Sequence, residues 1–275
     1  NIKALTSTEV LSIDREKKTV YMRNLVTGDE SRQSYDKLFI ATGASAIVPK
    51  LPGKDLEGVT TLQSMEDAIY LKEQLASGKL KKAVIVGGGL IGIETCEALQ
   101  LGGVQITVVE MLDQVLSFLD WEMAKHVENH IRCKGSEVIT GCGVAEFLGK
   151  DGKLTAVKLA DGRILDCDLA VVAIGVRPNS GLAKEAGLAT GASGGITVNT
   201  FMQTSDPDIY AGGDCVEVTH LITHQKMPWP MGDAANLEGR VAAQNMVLGN
   251  NVEYEGFIGT GICKVFDYVA GSTGL

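Results

Sequence analysis

The segment Val86-Gly87-Gly88-Gly89-Leu90-Ile91-Gly92-Ile93-Glu94 constrains this chain more than any other. It follows the apolar run Ala83–Val86, short enough for a buried parallel strand. It opens a stretch from Leu90 to Leu101 with helical spacing. Gly87, Gly89 and Gly92 satisfy G-x-G-x-x-G, a weak pattern alone but an informative one between a strand and a helix. Gly87 permits the tight turn, Gly89 lets a pyrophosphate approach the backbone, and Gly92 lets helix and strand pack closely. Ile91 lies in the same first helical turn. The helix N-terminus offers unpaired N–H groups and partial positive charge to phosphates.

A second strand, Gln105–Glu110, ends in an acid about 20 residues further on, where this fold carries one. A carboxylate there accepts hydrogen bonds from the adenosine ribose hydroxyls and repels a 2′-phosphate. Met111, Leu112, Asp113 and Gln114 follow, with no Arg or Lys, so the pattern predicts NAD in preference to NADP. The alternative is a structural βαβ turn with an ordinary acidic strand end; turn, helix and acid in register favour the site.

The surrounding pattern extends the unit. Ser64–Ser77 has helical spacing with Glu66 and Asp67 in its first turn, and Asp120–Lys134 reads as a helix capped by Asp120. Three short strands around Val144–Leu148, Thr155–Leu159 and Ile164–Asp166 are joined by Asp151-Gly152 and Asp161-Gly162 turns. Leu169–Ile174 is a returning buried strand. Together these predict an α/β, Rossmann-like, three-layer dinucleotide-binding domain over residues 64–176.

On either side the character differs. Glu9–Asp14 and Thr19–Asn24 predict a hairpin, and Tyr35–Ala41 a strand ending in Thr42-Gly43. A connection rich in Pro and Gly follows. Beyond Pro178, short strands at 194–199 and 208–211 precede a helix from Met231 to Leu248, stopped by Gly249, and 261–269 reads as the beginning of a further strand region. A net charge of −9 argues against a duplex nucleic-acid partner, whose surface demands a basic face. No run approaches the roughly 18–20 apolar residues of a membrane span, so no membrane partner is expected. The six cysteines are scattered, without a C-x-x-C pair or a zinc-like cluster. They read as reduced, buried thiols of a cytoplasmic protein, and no metal site is expected.

Three further motifs carry a family resemblance: Ala41-Thr42-Gly43-Ala44, Ala173-Ile174-Gly175-Val176-Arg177-Pro178-Asn179, and Thr204-Ser205-Asp206-Pro207-Asp208-Ile209-Tyr210-Ala211-Gly212-Gly213-Asp214. In this order around the glycine turn, nearly the whole chain resembles the FAD-dependent pyridine nucleotide–disulfide oxidoreductases. Ala234–Arg240, Gly259-Thr260-Gly261 and Lys264-Val265-Phe266 resemble the branch of coenzyme A-disulfide reductases, NADH oxidases and NADH peroxidases. The resemblance implies an NAD-binding domain (64–176) inserted into a partial FAD-binding domain made of 1–63 and 177–255. Residues 256–275 would begin a C-terminal dimerisation domain. It also implies site roles. Asp214 matches the aspartate on the ribityl chain of FAD, and Ala41, Thr42 and Gly43 match the turn passing the flavin. Gly232 precedes the helix that points at the isoalloxazine. Gly175 matches a glycine on the nicotinamide side, and Glu94 a glutamate near nicotinamide and flavin, with an ordinary exposed helix glutamate as the alternative. Phe118 is placed over the adenosine half, with a core phenylalanine as the alternative.

The activity so implied is transfer of hydride from NADH to FAD and on to a disulfide, peroxide or oxygen. Two other readings stay open: a reductase feeding a rubredoxin- or ferredoxin-type carrier, and a non-catalytic NADH-binding module. An earlier G-x-G-x-x-G for FAD, a reactive cysteine and the lysine partner of Glu94 belong to the family but not to this sequence. The expectation is therefore a middle fragment of a longer, homodimeric flavoenzyme acting on a small molecule or small disulfide.

Overall fold

Ala83–Val86, Ile106–Val109 and Leu169–Val172 are near-continuous β-branched and aliphatic runs, the signature of strands buried on both faces. In a computed structural model describing residues 2–274, they form the centre of a parallel sheet. The chain divides into two units: residues 1–45 with 177–259, and 46–176 with 260–275.

The unit of residues 46–176 and 260–275 has five parallel strands. Their order is Val59–Thr60, Leu169–Val172, Lys82–Val86, Gln105–Val109, Glu137–Ile139. Alternate strand residues face opposite sides. Ala83, Ile85, Ile106, Val108, Leu169 and Val171 pack against the helices Met65–Ala76, Leu90–Leu101 and Trp121–Cys133. Val84, Val86, Val109, Ala170 and Val172 pack against Phe147, Leu154, Val157 and Leu159 of an antiparallel meander, Val144–Lys150, Lys153–Leu159 and Ile164–Asp166. Helices, sheet and meander are the three layers. Full burial of each such side chain contributes about 1.5–3 kcal/mol.

Local sequence sets the ends of these elements. The first helix begins in a capping box: Ser64 Oγ accepts from Asp67 N–H at 3.1 Å and Asp67 Oδ2 accepts from Ser64 N–H at 3.2 Å. Asp151 (φ 52°) and Gly152 (φ 79°) turn the first meander hairpin in the left-handed region that a two-residue connection demands. Asp120 occupies the N-cap of the third helix without a side-chain cap bond.

Three differences from the sequence reading concern short segments. The unit starts at Ala46 rather than Ser64, because Val59–Thr60 supplies the edge strand beside Leu169–Val172. Glu137–Ile139 adds the opposite edge. Residues 261–269 are not one strand but part of a hairpin, Gly261–Val265 with Tyr268–Ser272. That hairpin buries Cys263 and Val265 in the helix-side core. Glu97 accepts from Phe266 N–H at 2.6 Å and pairs with Lys264. His130 stacks on Tyr268 with ring centroids 3.7 Å apart.

The unit of residues 1–45 and 177–259 has an antiparallel sheet, Thr8–Asp14, Thr19–Asn24 and Glu30–Ser34. Leu38–Ile40 pairs in parallel with Ile209–Ala211. Ile196–Thr197, Val216–Thr219 and Lys226–Met227 form a third small sheet. The helix Gly232–Leu248 packs Ala242 into a core with Ile40, Ile196, Met202 and Tyr210. Asn245 fastens the chain after that helix. Its Oδ1 accepts from Asn251 and Val252 N–H, and its Nδ2 donates to Phe201 and Val252 carbonyls.

Candidate functional site

The glycine turn leaves the C-terminal end of the central strand, where the sheet's neighbours crowd it. Gly87 has φ 111°, and a Cβ there would lie 2.3 Å from Ala173 O. A Cβ on Gly92 would lie 2.0 Å from Gly87 O, so the helix reaches the turn only because residue 92 has no side chain. Gly89, the N-cap of the helix, has nothing within 4 Å of the position a Cβ would take. Backbone N–H groups of the first helical turn, which have no intrahelical acceptor, stand at this open side.

Glu110 is bound into the same turn. Its Oε2 accepts from Gly88 N–H at 2.6 Å and its Oε1 from Leu112 N–H at 2.8 Å. An ionised carboxylate has about four acceptor sites. Two therefore hold the loop and the others remain for a ligand. A cavity of about 530 Å³ is lined by Gly87, Gly89, Glu110, Met111, Leu116 and Gly175, among others. Its size falls in the range of cofactor and small-molecule sites. Gly175 has φ 106°, and only Ile47 Cδ1 stands near its missing side chain, at 3.9 Å.

Gly87, Gly89, Glu110 and Gly175 thus meet at one cavity, with Gly92 packed beneath the turn. Ile91 and Glu94 do not line it. Three residues apart on one helix, they share a face and line a separate cavity of about 440 Å³ between that helix and Met65–Ala76. Glu94 is exposed. Phe118 does not line the cavity beside the glycine turn either. It packs on the helix-side core, with its ring 3.6 Å from the position of a Cβ on Gly261. The hairpin of residues 261–272, invisible to a reading of residue 118 alone, packs against the ring.

In the other unit, two turns leave adjacent parallel strands at their C-terminal ends. Ala211 lies opposite Ile40, so Ala41-Thr42-Gly43 and Gly212-Gly213-Asp214 emerge side by side. Ligands of open α/β sheets bind outside such strand ends. Gly43 has φ 65° and open space around it. Asn179 clamps this turn: Thr42 Oγ1 donates to Asn179 O at 2.6 Å, and Asn179 Nδ2 donates to Thr42 O at 3.0 Å. A cavity of about 750 Å³ includes Ala41, Thr42 and Asn179 in its lining. The helix that begins at Gly232 approaches the second turn, with Ala235 Cβ 3.6 Å from the position of a Cβ on Gly213.

Glu238 of that helix is a site residue the sequence reading missed. It is 1% exposed, and its Oε2 accepts from Gly213 N–H at 2.7 Å. Burial pushes its carboxyl up to about 7; the Gly213 bond restrains the rise and the charge of Asp214 adds to it. Its only sequence signal was its place inside the Ala234–Arg240 motif. Four of the six cysteines, Cys96, Cys167, Cys215 and Cys263, are buried thiols held protonated by that burial. Burial raises Cys96 and Cys263 to about 11 and Cys167 to about 12, far above the range of reactive cysteines. Among the described residues no group of His, Cys, Asp and Glu could hold a metal ion. No helix among them is long and apolar enough to cross a membrane.

Residues 1–232 match the family described as pyridine nucleotide-disulphide oxidoreductase. The chain belongs to that family. Among its relatives is an NADH oxidase of Methanocaldococcus jannaschii, 38% identical over 276 residues; the match spans 100% of this chain and 60% of that protein. Among solved structures, an NAD-dependent persulfide reductase from A. fulgidus is similar with a TM-score of 0.95 and 45% identity, over 98% of this chain and 49% of that one. A water-forming NADH oxidase from Lactobacillus brevis, bound to NADH, is similar with a TM-score of 0.92 and 30% identity, over 98% of this chain and 58% of that one. The chain thus spans about half to three fifths of the family members it resembles here.

Proposed function

We propose that the chain is the cofactor-handling part of an NADH-driven flavin oxidoreductase. The observation that carries this reading is the cavity where the open Gly89 backbone, a helix N-terminus and the Glu110 carboxylate converge. Such a donor and acceptor set fits a dinucleotide: N–H groups for its pyrophosphate, a carboxylate for its ribose hydroxyls. NADH is preferred over NADPH, since Glu110 would face a 2′-phosphate with like charge and no cation follows it. Gly175 leaves room for the nicotinamide end. Glu94 we assign to support on the nicotinamide side, from the family resemblance.

We assign FAD to the unit of residues 1–45 and 177–259. Ala41, Thr42 and Gly43 pass the ring system, Asp214 accepts from its polyhydroxyl chain, and the helix beginning at Gly232 turns its positive end toward it. Flavin, when bound, supplies the acceptor for the hydride and the route onward for its electrons. The protein's share is to hold, orient and exclude water. The relatives' names favour oxygen or a persulfide or disulfide as the final acceptor. A homodimeric parent and a cytoplasmic location go with this reading, the latter supported by six free thiols.

Two measurements test it. The purified chain, titrated with FAD, should take up flavin, read as bound absorption bands between about 350 and 500 nm; no uptake removes the flavin assignment. Glu110→Ala should weaken NADH binding by roughly 1–3 kcal/mol, the scale of hydrogen bonds to a charged group. Unchanged affinity, or NADPH bound more tightly than NADH by the native chain, removes the nucleotide assignment.

A further inference from the structure

The helix Trp121–Cys133 carries an anomaly on its inner face. Ala124, Val127 and Ile131 are buried there as its spacing demands, but so is Glu128, 1% exposed. A carboxylate taken out of water is retained only with good partners. Glu128 Oε1 accepts from Lys125 Nζ at 2.7 Å and from Val115 N–H at 3.3 Å, and its Oε2 faces Arg132 at 3.5 Å. Lys125 Nζ also donates to Asp113 O at 2.6 Å. The pair therefore grips the loop after Glu110 at two backbone atoms, Asp113 O and Val115 N.

What that grip holds is a segment whose Gln114, Leu116 and Ser117 line the cavity beside the glycine turn. Val115 and Leu116 are buried, and Leu116 sits at φ 46°, a left-handed conformation that a leucine adopts only when its surroundings impose it. Leu116 N–H donates to Gly88 O at 2.8 Å, while Gly88 N–H is held by Glu110. Val115 Cγ1 lies 2.8 Å from where a Cβ on Gly88 would be. Loop, glycine turn and ribose-binding acid are one hydrogen-bonded assembly, and Glu128 anchors it from the side away from the ligand.

We propose that Glu128, with Lys125, is a positioning pair that keeps the 113–116 segment closed on the glycine turn and so sets affinity for the adenosine half of the dinucleotide. This rests on the NADH reading above. Glu128 contributes nothing to the ligand directly; it acts through Val115 and Gly88.

The test uses the full chain and its Glu128→Gln variant. Glutamine keeps the shape and an acceptor for Val115 N–H but loses the charge that holds Lys125 on Asp113. Affinities for NADH and for ADP-ribose are measured by calorimetry, and exchange of the Leu116 amide by mass spectrometry or NMR. Glu128→Gln should lose about five- to tenfold in affinity for both ligands alike, the scale of one to two hydrogen bonds, with faster Leu116 exchange. Ile131→Val, a packing change on the same helix, should lose none at temperatures where it is folded. Lys125→Met, which removes only the outer half of the pair, serves if Glu128→Gln does not fold. Unchanged affinities and exchange, or an equal loss in Ile131→Val, would overturn the proposal. A native chain that binds neither ligand defeats the NADH reading instead, and Leu116 exchange still decides whether Glu128 holds the loop.

Discussion

Gly87→Ala is expected to abolish measurable NADH binding and to destabilise the chain by about 3 kcal/mol or more. Two costs combine. At φ 111° an L side chain is strained whatever the space around it, and sparsely populated backbone conformations cost of order 1–3 kcal/mol. The new methyl would also lie 2.3 Å from Ala173 O and 2.8 Å from Ala173 C, backbone atoms immediately after the neighbouring strand Leu169–Val172. That strand pairs with Lys82–Val86 on one side and Val59–Thr60 on the other, so it cannot retreat without breaking a ladder. The turn must move, carrying with it Gly88, whose N–H and C=O hold Glu110 and Leu116. Urea unfolding and an NADH titration check this. A variant within about 1 kcal/mol of the native chain, with native affinity, would show that the turn is not as constrained as its geometry indicates.

Glu238→Gln is expected to stabilise the chain above neutral pH and to have only about a quarter of that effect at pH 5. Burial raises the Glu238 carboxyl from its ordinary 4.5 to about 7, so between these values the folded state binds the proton and the unfolded state does not. Stability therefore falls as pH rises through this window and levels off above it. A shift of that size corresponds to about 3 kcal/mol at pH 8. Glutamine removes the charge and keeps an oxygen for Gly213 N–H. The difference between variant and native chain at the two pH values isolates this residue from every other titrating group. An equal difference at pH 5 and pH 8 would mean that Glu238 ionises freely in the fold. The position matters for function because Asp214, the residue assigned to flavin, supplies part of the repulsion.

Much of this could be read along the chain. The spacing of Gly87, Gly89 and Gly92, the apolar runs on either side, the Asp-Gly turns and the Ser64–Asp67 cap are local features. Each acts within a turn or two of itself, so residue identity alone places the helix Leu90–Leu101, the meander and the strand ending at Glu110. The order of the motifs added the family.

What could not be read depends on which distant residues become neighbours. Val59–Thr60 is a strand only because Leu169–Val172 offers it a ladder; two residues have no period to detect. Phe118 shows nothing in sequence of its packing partner, the Gly261–Ser272 hairpin, which makes room for its ring by leaving no side chain at Gly261. Residue type alone does not mark Glu128 and Glu238 as buried. One is buried against a loop it clamps, the other against the Gly213 turn, where burial raises its proton affinity. Local backbone preference and periodicity are properties of neighbours in sequence. Burial, strain at Leu116 and the charge a buried group can carry are properties of neighbours in space, and only the folded chain assigns those.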